Sequence, residues 1–333
     1  MADRAHILTD EKLEQMERHL SAIYSRAKKT VQKKMADYAK TIDEKSAELL
    51  QAYNDSETED EKRKAKRAYI RFYRQVVKSK EFVSLSANVA DDLYKTNIEA
   101  TSYINSQTAE VYAINYNGIN KNLQNDVNGF IPQTIKAQEA EEYGNLSKKT
   151  VDKTKDIKWN EDNLKQSIVA GAFLLLGTNV LMKRAGTITV KKNHNSSNRN
   201  NMDMVGEAET KGRIDAMYRA SAMGVEIKKR WRTAGDNRVR DSHAKLDGVE
   251  VAIDEKFPNK MDRPKDPDGD PSEYYNCRCT LEYNVGQTKG KTRSARQGEV
   301  TGSYKKASSF KGTKSIEVAN MPYKELMEWL NRK

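Results

Sequence analysis

From Leu13 the apolar residues run Met16, Leu20, Ile23, Ala27, Val31, Met35, Tyr38 and Ile42, at steps of three and four, with no glycine or proline among them. That spacing is the helical period, and a stripe sustained this long commits the start of the chain to one long amphipathic helix. Thr9, ahead of Asp10, Glu11 and Lys12, is the expected cap. The whole chain of 333 residues has only 6 Pro and 17 Gly, which favours more such helices and excludes collagen-like or low-complexity classes. With 16 Tyr, 6 Phe and 3 Trp it holds too many aromatic residues for a fully disordered polymer.

The same reading extends along the chain. Asn54–Asp60 is polar and reads as a turn. A second helix carries Tyr69, Phe72, Tyr73, Val76 and Val77, and a third runs from about Lys80 to Leu123. Asn115–Pro132 is rich in Asn and Gly, so a break is expected there. Another helix is expected over Glu161–Lys183, with Gly171 and Gly177 as weak points. Tyrosines on these stripes read as packing residues rather than a binding box. The longest apolar run, Ile168–Leu176, has nine residues, far short of the roughly 20 a membrane span needs. Met1–Asp10 is polar, so neither a secretory signal nor a membrane partner is expected.

Past residue 182 the character changes. Gly186–Val190 reads as a short strand, and Lys191–Asn201, mostly Lys, Asn, Ser and Arg, as an exposed loop. A helix over Met204–Ala222 with Gly224 as its C-cap comes next, then short strands at Val225–Arg232, Val249–Ile253 and Cys279–Tyr283. Residues 286–315 are rich in Gly, Ser, Lys and Arg, and Pro322–Leu330 recovers an amphipathic helix. The expected fold class is α+β: a helical docking region over 1–182, a basic and polar linker over 183–203, a small α+β domain over 204–285, and a basic flexible tail over 286–333.

Charge follows this division. The net +11 is +1 over residues 1–182, +5 over 183–199, −2 over 200–285 and +7 over 286–333. A basic tail is an electrostatic footprint for polyphosphate, because each neutralised phosphate releases condensed counterions. Lys289, Lys291, Arg293, Arg296, Lys305, Lys306, Lys311 and Lys314 are the candidate DNA contacts, for double-stranded DNA without sequence preference.

The informative stretch is 231–283. It places Trp231, Asp236, Arg238, Arg240 and His243 in order, then Asp247-Gly248, Phe257, Pro264 and Asn276-Cys277-Arg278-Cys279. Both thiols of the chain sit in one Cys-x-Cys, and on a strand they would share a face. With His243 they would be three of the four ligands zinc requires, Asp236 or Asp241 being the candidate fourth. A buried thiol pair beside a hydrogen-bonded histidine is the simpler reading and is preferred. No cofactor is therefore expected, a structural zinc being the alternative. Arg238, Arg240 and Arg278, among many acids, read as ion-pair partners rather than phosphate clamps. Asp266-Pro-Asp268-Gly-Asp270 lacks the glutamate a calcium loop needs at its twelfth position, and reads as a turn. There is no nucleophile elbow, no phosphate-binding glycine loop and no His-Glu-x-x-His, so no catalytic residue is assigned and no enzyme is expected.

The order of residues in 231–283 resembles the Mu-F-like minor head protein (head-morphogenesis) family of tailed phages. All of the positions just quoted match that family's pattern; upstream, Glu209-Thr210 falls near its Arg-Thr-Glu helix without the arginine. The resemblance implies a minor capsid protein inside the phage head, found in the host cytoplasm during assembly. It implies portal protein, scaffold and major capsid proteins as partners, with roles in head assembly, DNA packaging and genome ejection. Mu-F-like domains also occur joined to nuclease or toxin domains, which is the alternative. Residues 286–333 are expected to be too few and too polar for such an addition.

Overall fold

The computed structural model describes residues 3–286. The expected C-terminal helix and all eight candidate DNA-contacting cations lie outside the described residues. Six longer helices come first: α1 (Arg4–Asn54), α2 (Glu59–Val76), α3 (Lys80–Asp126), α4 (Ala137–Gly144), α5 (Lys153–Ala172) and α6 (Thr178–Ala222). Then come β1 (Ile227–Arg232), the short α7 (Asp241–Ala244), β2 (Glu250–Ala252), the short α8 (Pro271–Tyr274) and β3 (Thr280–Val285). The α+β class with long N-terminal helices is as expected. No helix among the described residues is long and apolar enough to cross a membrane.

The chain divides into two units. One comprises Glu17–Tyr103 and Lys149–Asn198; the other comprises the described residues within Met1–Met16, Ile104–Lys148 and Arg199–Lys333. Helices α1, α3 and α6 each contribute residues to both.

In the unit of Glu17–Tyr103 and Lys149–Asn198, the stripe of α1 is buried as its spacing requires: Leu20, Ile23, Val31 and Met35 are all enclosed, together with Tyr69, Tyr73, Leu93, Leu164 and Leu181. The turn at residues 55–58 ends in a capping box, Thr58 accepting from the Glu61 amide while Glu61 accepts from the Thr58 amide. The main correction falls here. The expected strand at 186–190 and loop at 191–201 are both helix, within α6.

Packing explains the reversal. A Cβ on Gly186 would sit 2.8 Å from Val31 Cγ1, so glycine permits the close approach of α6 to α1. Thr187 and Thr189 return their hydroxyls to carbonyls four residues back, at 2.8 and 3.0 Å, which satisfies strand-favouring residues inside a helix. Asn193 and Ser197 face inward to a polar ladder. Tyr24 Oη donates to Asn97 Oδ1 at 2.7 Å and lies 2.6 Å from Ser197 Oγ. Asn97 Nδ2 donates to Asn193 Oδ1 at 2.7 Å, and Asn193 Nδ2 donates to Asn160 Oδ1 at 2.7 Å. The five cations of 183–199 are exposed, Lys192 donating to Asn163 Oδ1 on α5.

In the other unit the break expected within Asn115–Pro132 falls after Asp126. Asn115, Asn117 and Asn120, ahead of it, are buried in α3 and bonded. Asn117 exchanges a pair of 2.9 Å hydrogen bonds with the Ile135 backbone, and Asn120 Oδ1 accepts from Arg219 at 2.9 Å. Gly212 brings α6 against α3, since a Cβ there would meet the Tyr112 carbonyl oxygen at 2.5 Å. After α6, Gly224 takes φ +87° as the expected cap. The sheet is antiparallel in the order β2-β1-β3, with Trp231 opposite Leu281 and Lys229 opposite both Val251 and Tyr283.

Candidate functional site

The residues of the 231–283 motif converge. Strand β1 alternates, turning Ile227, Lys229 and Trp231 inward. The Trp231 ring packs edge-on against His243 at 5.0 Å and Phe257 at 5.1 Å between centroids. Asp247-Gly248 fixes the return of the chain. Asp247 Oδ1 accepts from the Thr233 amide at 2.9 Å. Gly248, at φ +76°, donates its amide to the Trp231 carbonyl at 2.8 Å. A left-handed φ at that step is why the position suits glycine.

On the other side, Asn276 takes φ +58°, a region asparagine tolerates, and its amide donates to Asp203 Oδ1 at 3.1 Å. This turn delivers Cys277 and Cys279 to the same buried side, with Arg278 between them outside, although β3 itself starts only at Thr280. The sulfurs of Cys277 and Cys279 lie 3.5 and 3.4 Å from His243 Nδ1. Glu273 Oε2 lies 2.6 Å from the other ring nitrogen, within ion-pair distance though not aligned as a hydrogen bond. Among the described residues His243, Cys277 and Cys279 form the group able to share a metal ion, their ligand atoms all within 4.8 Å of one another.

The cysteines titrate as a contacting pair. A hydrogen bond from Cys279, helped by His243 and opposed by burial, holds the Cys277 thiol below its ordinary value, while Cys279 is driven up by its neighbour Cys277 and by burial. A lowered thiol beside an imidazole is the make-up of a nucleophile, but Cys277 is 4% and Cys279 5% exposed, closed to a substrate.

The motif's charges act as braces. Arg278 meets Asp236 at 2.5 Å, and Asp236 also accepts from the Arg238 amide at 3.0 Å, so these two arginines serve the expected ion pairing. Hydrogen bonds from Arg278 and from the Arg238 amide hold the exposed Asp236 carboxyl well below the usual range. Arg240 differs: it grips the carbonyls of Ser272 and Tyr275, the latter at 2.6 Å. Asp266 and Asp270 accept from backbone amides at Asp262, Asp268 and Ser272, as the turn reading requires.

Sequence reasoning missed the support from α6. Asp203 pairs with the buried Lys265, Glu207 accepts from Tyr274 at 2.8 Å, and Thr210 donates to the Pro264 carbonyl at 2.7 Å. Glu209 accepts from Thr280 at 2.6 Å. Asp203, Glu207 and Thr210 recur at steps of four and three, a polar stripe at helical period that marked an inward face before a partner was visible.

Residues 161–282 match the family model described as Phage Mu protein F like protein. This segment is a Mu-F-like domain. The match begins within α5 and includes the whole of α6. The match covers about a third of the chain and makes that segment similar to a phage protein. A stretch of 63 residues is 43% identical to an NAD(+)--arginine ADP-ribosyltransferase of Enterococcus faecalis, covering 18% of this chain and 13% of that protein. No solved structure matches the chain.

Proposed function

We propose that the chain is a minor head protein of a tailed phage that docks on the portal through its helical N-terminal region and contacts packaged DNA through residues 286–333. The observation that carries the reading is the Mu-F-like match over 161–282, centred on a motif whose charged residues are used internally as braces. Charges used in this way brace the fold rather than clamp phosphate. The helical region is nearly neutral, with long apolar stripes, and suits helix packing against a ring of subunits better than phosphate contact. In this reading the protein sits inside the head, reached from the host cytoplasm during assembly. Scaffold and major capsid proteins are neighbours, and the protein takes part in packaging and ejection.

The reading includes no turnover. The Cys–His pair is closed, and the 63 residues shared with the ADP-ribosyltransferase span too little of that protein to transfer its activity. Co-purification with portal tests the docking: it should survive removal of residues 286–333 and fail on removal of residues 1–130. The reverse pattern would refute the assignment. Metal-dependent DNA cleavage abolished by His243→Ala would replace it with the nuclease alternative.

A further inference from the structure

We propose that His243, Cys277 and Cys279 bind one zinc ion, with His243 ligating through Nδ1, Glu273 holding its other ring nitrogen, and a water molecule completing the tetrahedron. The site is independent of the portal and DNA reading.

Geometry carries the proposal. Zinc bonds of about 2.3 Å to sulfur and about 2.0–2.1 Å to nitrogen, at tetrahedral angles, separate the two ligand atoms by about 3.5–3.6 Å. The sulfurs stand 3.5 and 3.4 Å from Nδ1. Hydrogen bonding accounts poorly for the same arrangement. A neutral imidazole offers one lone pair at Nδ1, so only one of two converging thiols can be satisfied by it. Three ligand atoms all within 4.8 Å of one another are a ligand set.

Glu273 supplies the second argument. A carboxylate 2.6 Å from Nε2 favours the proton there and leaves the Nδ1 lone pair free toward the sulfurs. Metal-bound histidines commonly have a carboxylate at their second nitrogen, which here stands at ion-pair distance rather than in an aligned hydrogen bond. Ser242 donates to the same carboxylate oxygen at 3.2 Å, which fixes it in place.

Charge balance supplies the third. Two thiolates, one neutral imidazole and one divalent ion sum to zero, which suits ligands this deeply buried. Two sulfurs and a nitrogen select zinc over magnesium or calcium. On binding, two sulfur–zinc bonds and one nitrogen–zinc bond form, any remaining thiol protons pass to solvent, and no electron is transferred. Neither aspartate considered from sequence serves as the fourth ligand. Asp236 is engaged by Arg278 and Arg238, and Asp241 is exposed and outside the cluster. Water therefore fills that position. The ion would tie α7 to the turn before β3, across a stretch with little apolar surface of its own.

The test uses the full chain, purified without chelator or a histidine tag. Elemental analysis should find about one zinc per chain, lost in Cys277→Ser and Cys279→Ser. Cobalt exchange should give thiolate-to-metal charge-transfer absorption, a readout that needs no variant to fold. Glu273→Gln should keep the metal but weaken it about 10- to 100-fold in competition with a chromophoric chelator. Protein that carries no metal as isolated, takes up none from micromolar zinc and gives no such cobalt absorption would overturn the proposal. Zinc retained in the double Cys277→Ser/Cys279→Ser variant would overturn it equally.

Discussion

Arg213, fully buried on α6, donates through Nη1 to the Leu281 carbonyl of β3 at 3.0 Å. The same guanidinium donates from Nε to Asn115 Oδ1 at 2.9 Å, lies 3.3 Å from Glu209, and pairs with Asp3. One side chain thus joins the start of α1, α3, α6 and the sheet edge within a single unit. Arg213→Ala removes the cation and leaves buried Glu209 short of a partner, so urea unfolding should show a loss of about 3–5 kcal/mol. Arg213→Lys keeps the charge without the planar fork and should fall between. A loss under about 0.5 kcal/mol, the scatter of ordinary surface changes, would mean that the tie does not hold this unit together.

Asn193 is the residue on which the helical state of 186–201 turns. Replacing it with Leu keeps helix propensity and adds apolar surface, yet it removes both the acceptor for Asn97 and the donor to Asn160. The stranded partners are buried, so the expected cost is about 1–3 kcal/mol by denaturant midpoint. A neutral or stabilising Asn193→Leu would show that apolar packing, not the ladder, holds α6 in place.

How much of this was legible depends on which force decides each element. The stripe from Leu13 to Ile42 is periodic in apolar residues, and burial follows it directly. At 183–203 the inward face is Asn, Ser and Thr, and no hydrophobic period survives to mark a helix; local composition then points to a loop, while partners on distant helices fix the true state. In the motif, His243 with Cys277 and Cys279 was readable because few residue types ligate soft metals, and the three do meet. Their number, three rather than four, favoured packed thiols in sequence. Only the shared approach to Nδ1, and Glu273 behind it, changed that weighting. The stripe of Asp203, Glu207 and Thr210 marks a face of α6, but nothing around Lys265 in sequence names it as the partner of Asp203.

His6 gives the fold a pH dependence of known sign. A hydrogen bond from His6 Nδ1 to Glu209 Oε1 at 2.8 Å, reinforced by charge from Glu209 and Asp10 and opposed by burial and Arg213, holds the imidazole above its ordinary value. A raised folded-state value means that the protonated ring stabilises the fold. That contribution is fully present below the ordinary value of 6.5 and is lost as pH rises through the raised one. Wild-type protein should therefore lose urea stability between mildly acidic and mildly alkaline pH, and His6→Asn should lose less across the same interval. Parallel curves for the two proteins would remove His6 as the cause. Glu209 is the opposite case. Burial raises its carboxyl, but His6, Arg213 and Thr280 more than offset this and leave it lowered, so its contribution is present at neutral pH and lost on acidification.

The strongest test of the DNA reading is its salt dependence. Residues 286–333 carry net +7 while residues 200–285 carry −2, so attraction to phosphate is expected from the former alone. If all eight candidates, Lys289 through Lys314, each neutralise one phosphate, the counterion-release slope predicts a fall of about 10⁴-fold in affinity for duplex DNA between about 50 and 200 mM salt. Random-sequence and phage-derived duplexes should bind alike, because phosphate contacts carry no base readout. A protein ending at Val285 should bind weakly at every salt concentration, and replacing single lysines should lower the slope by about one unit each. Equal affinity for the full chain and the shortened one across the titration would move the DNA contact elsewhere, to the exposed cations of α6 first, Lys183, Arg184, Lys191 and Arg199 among them.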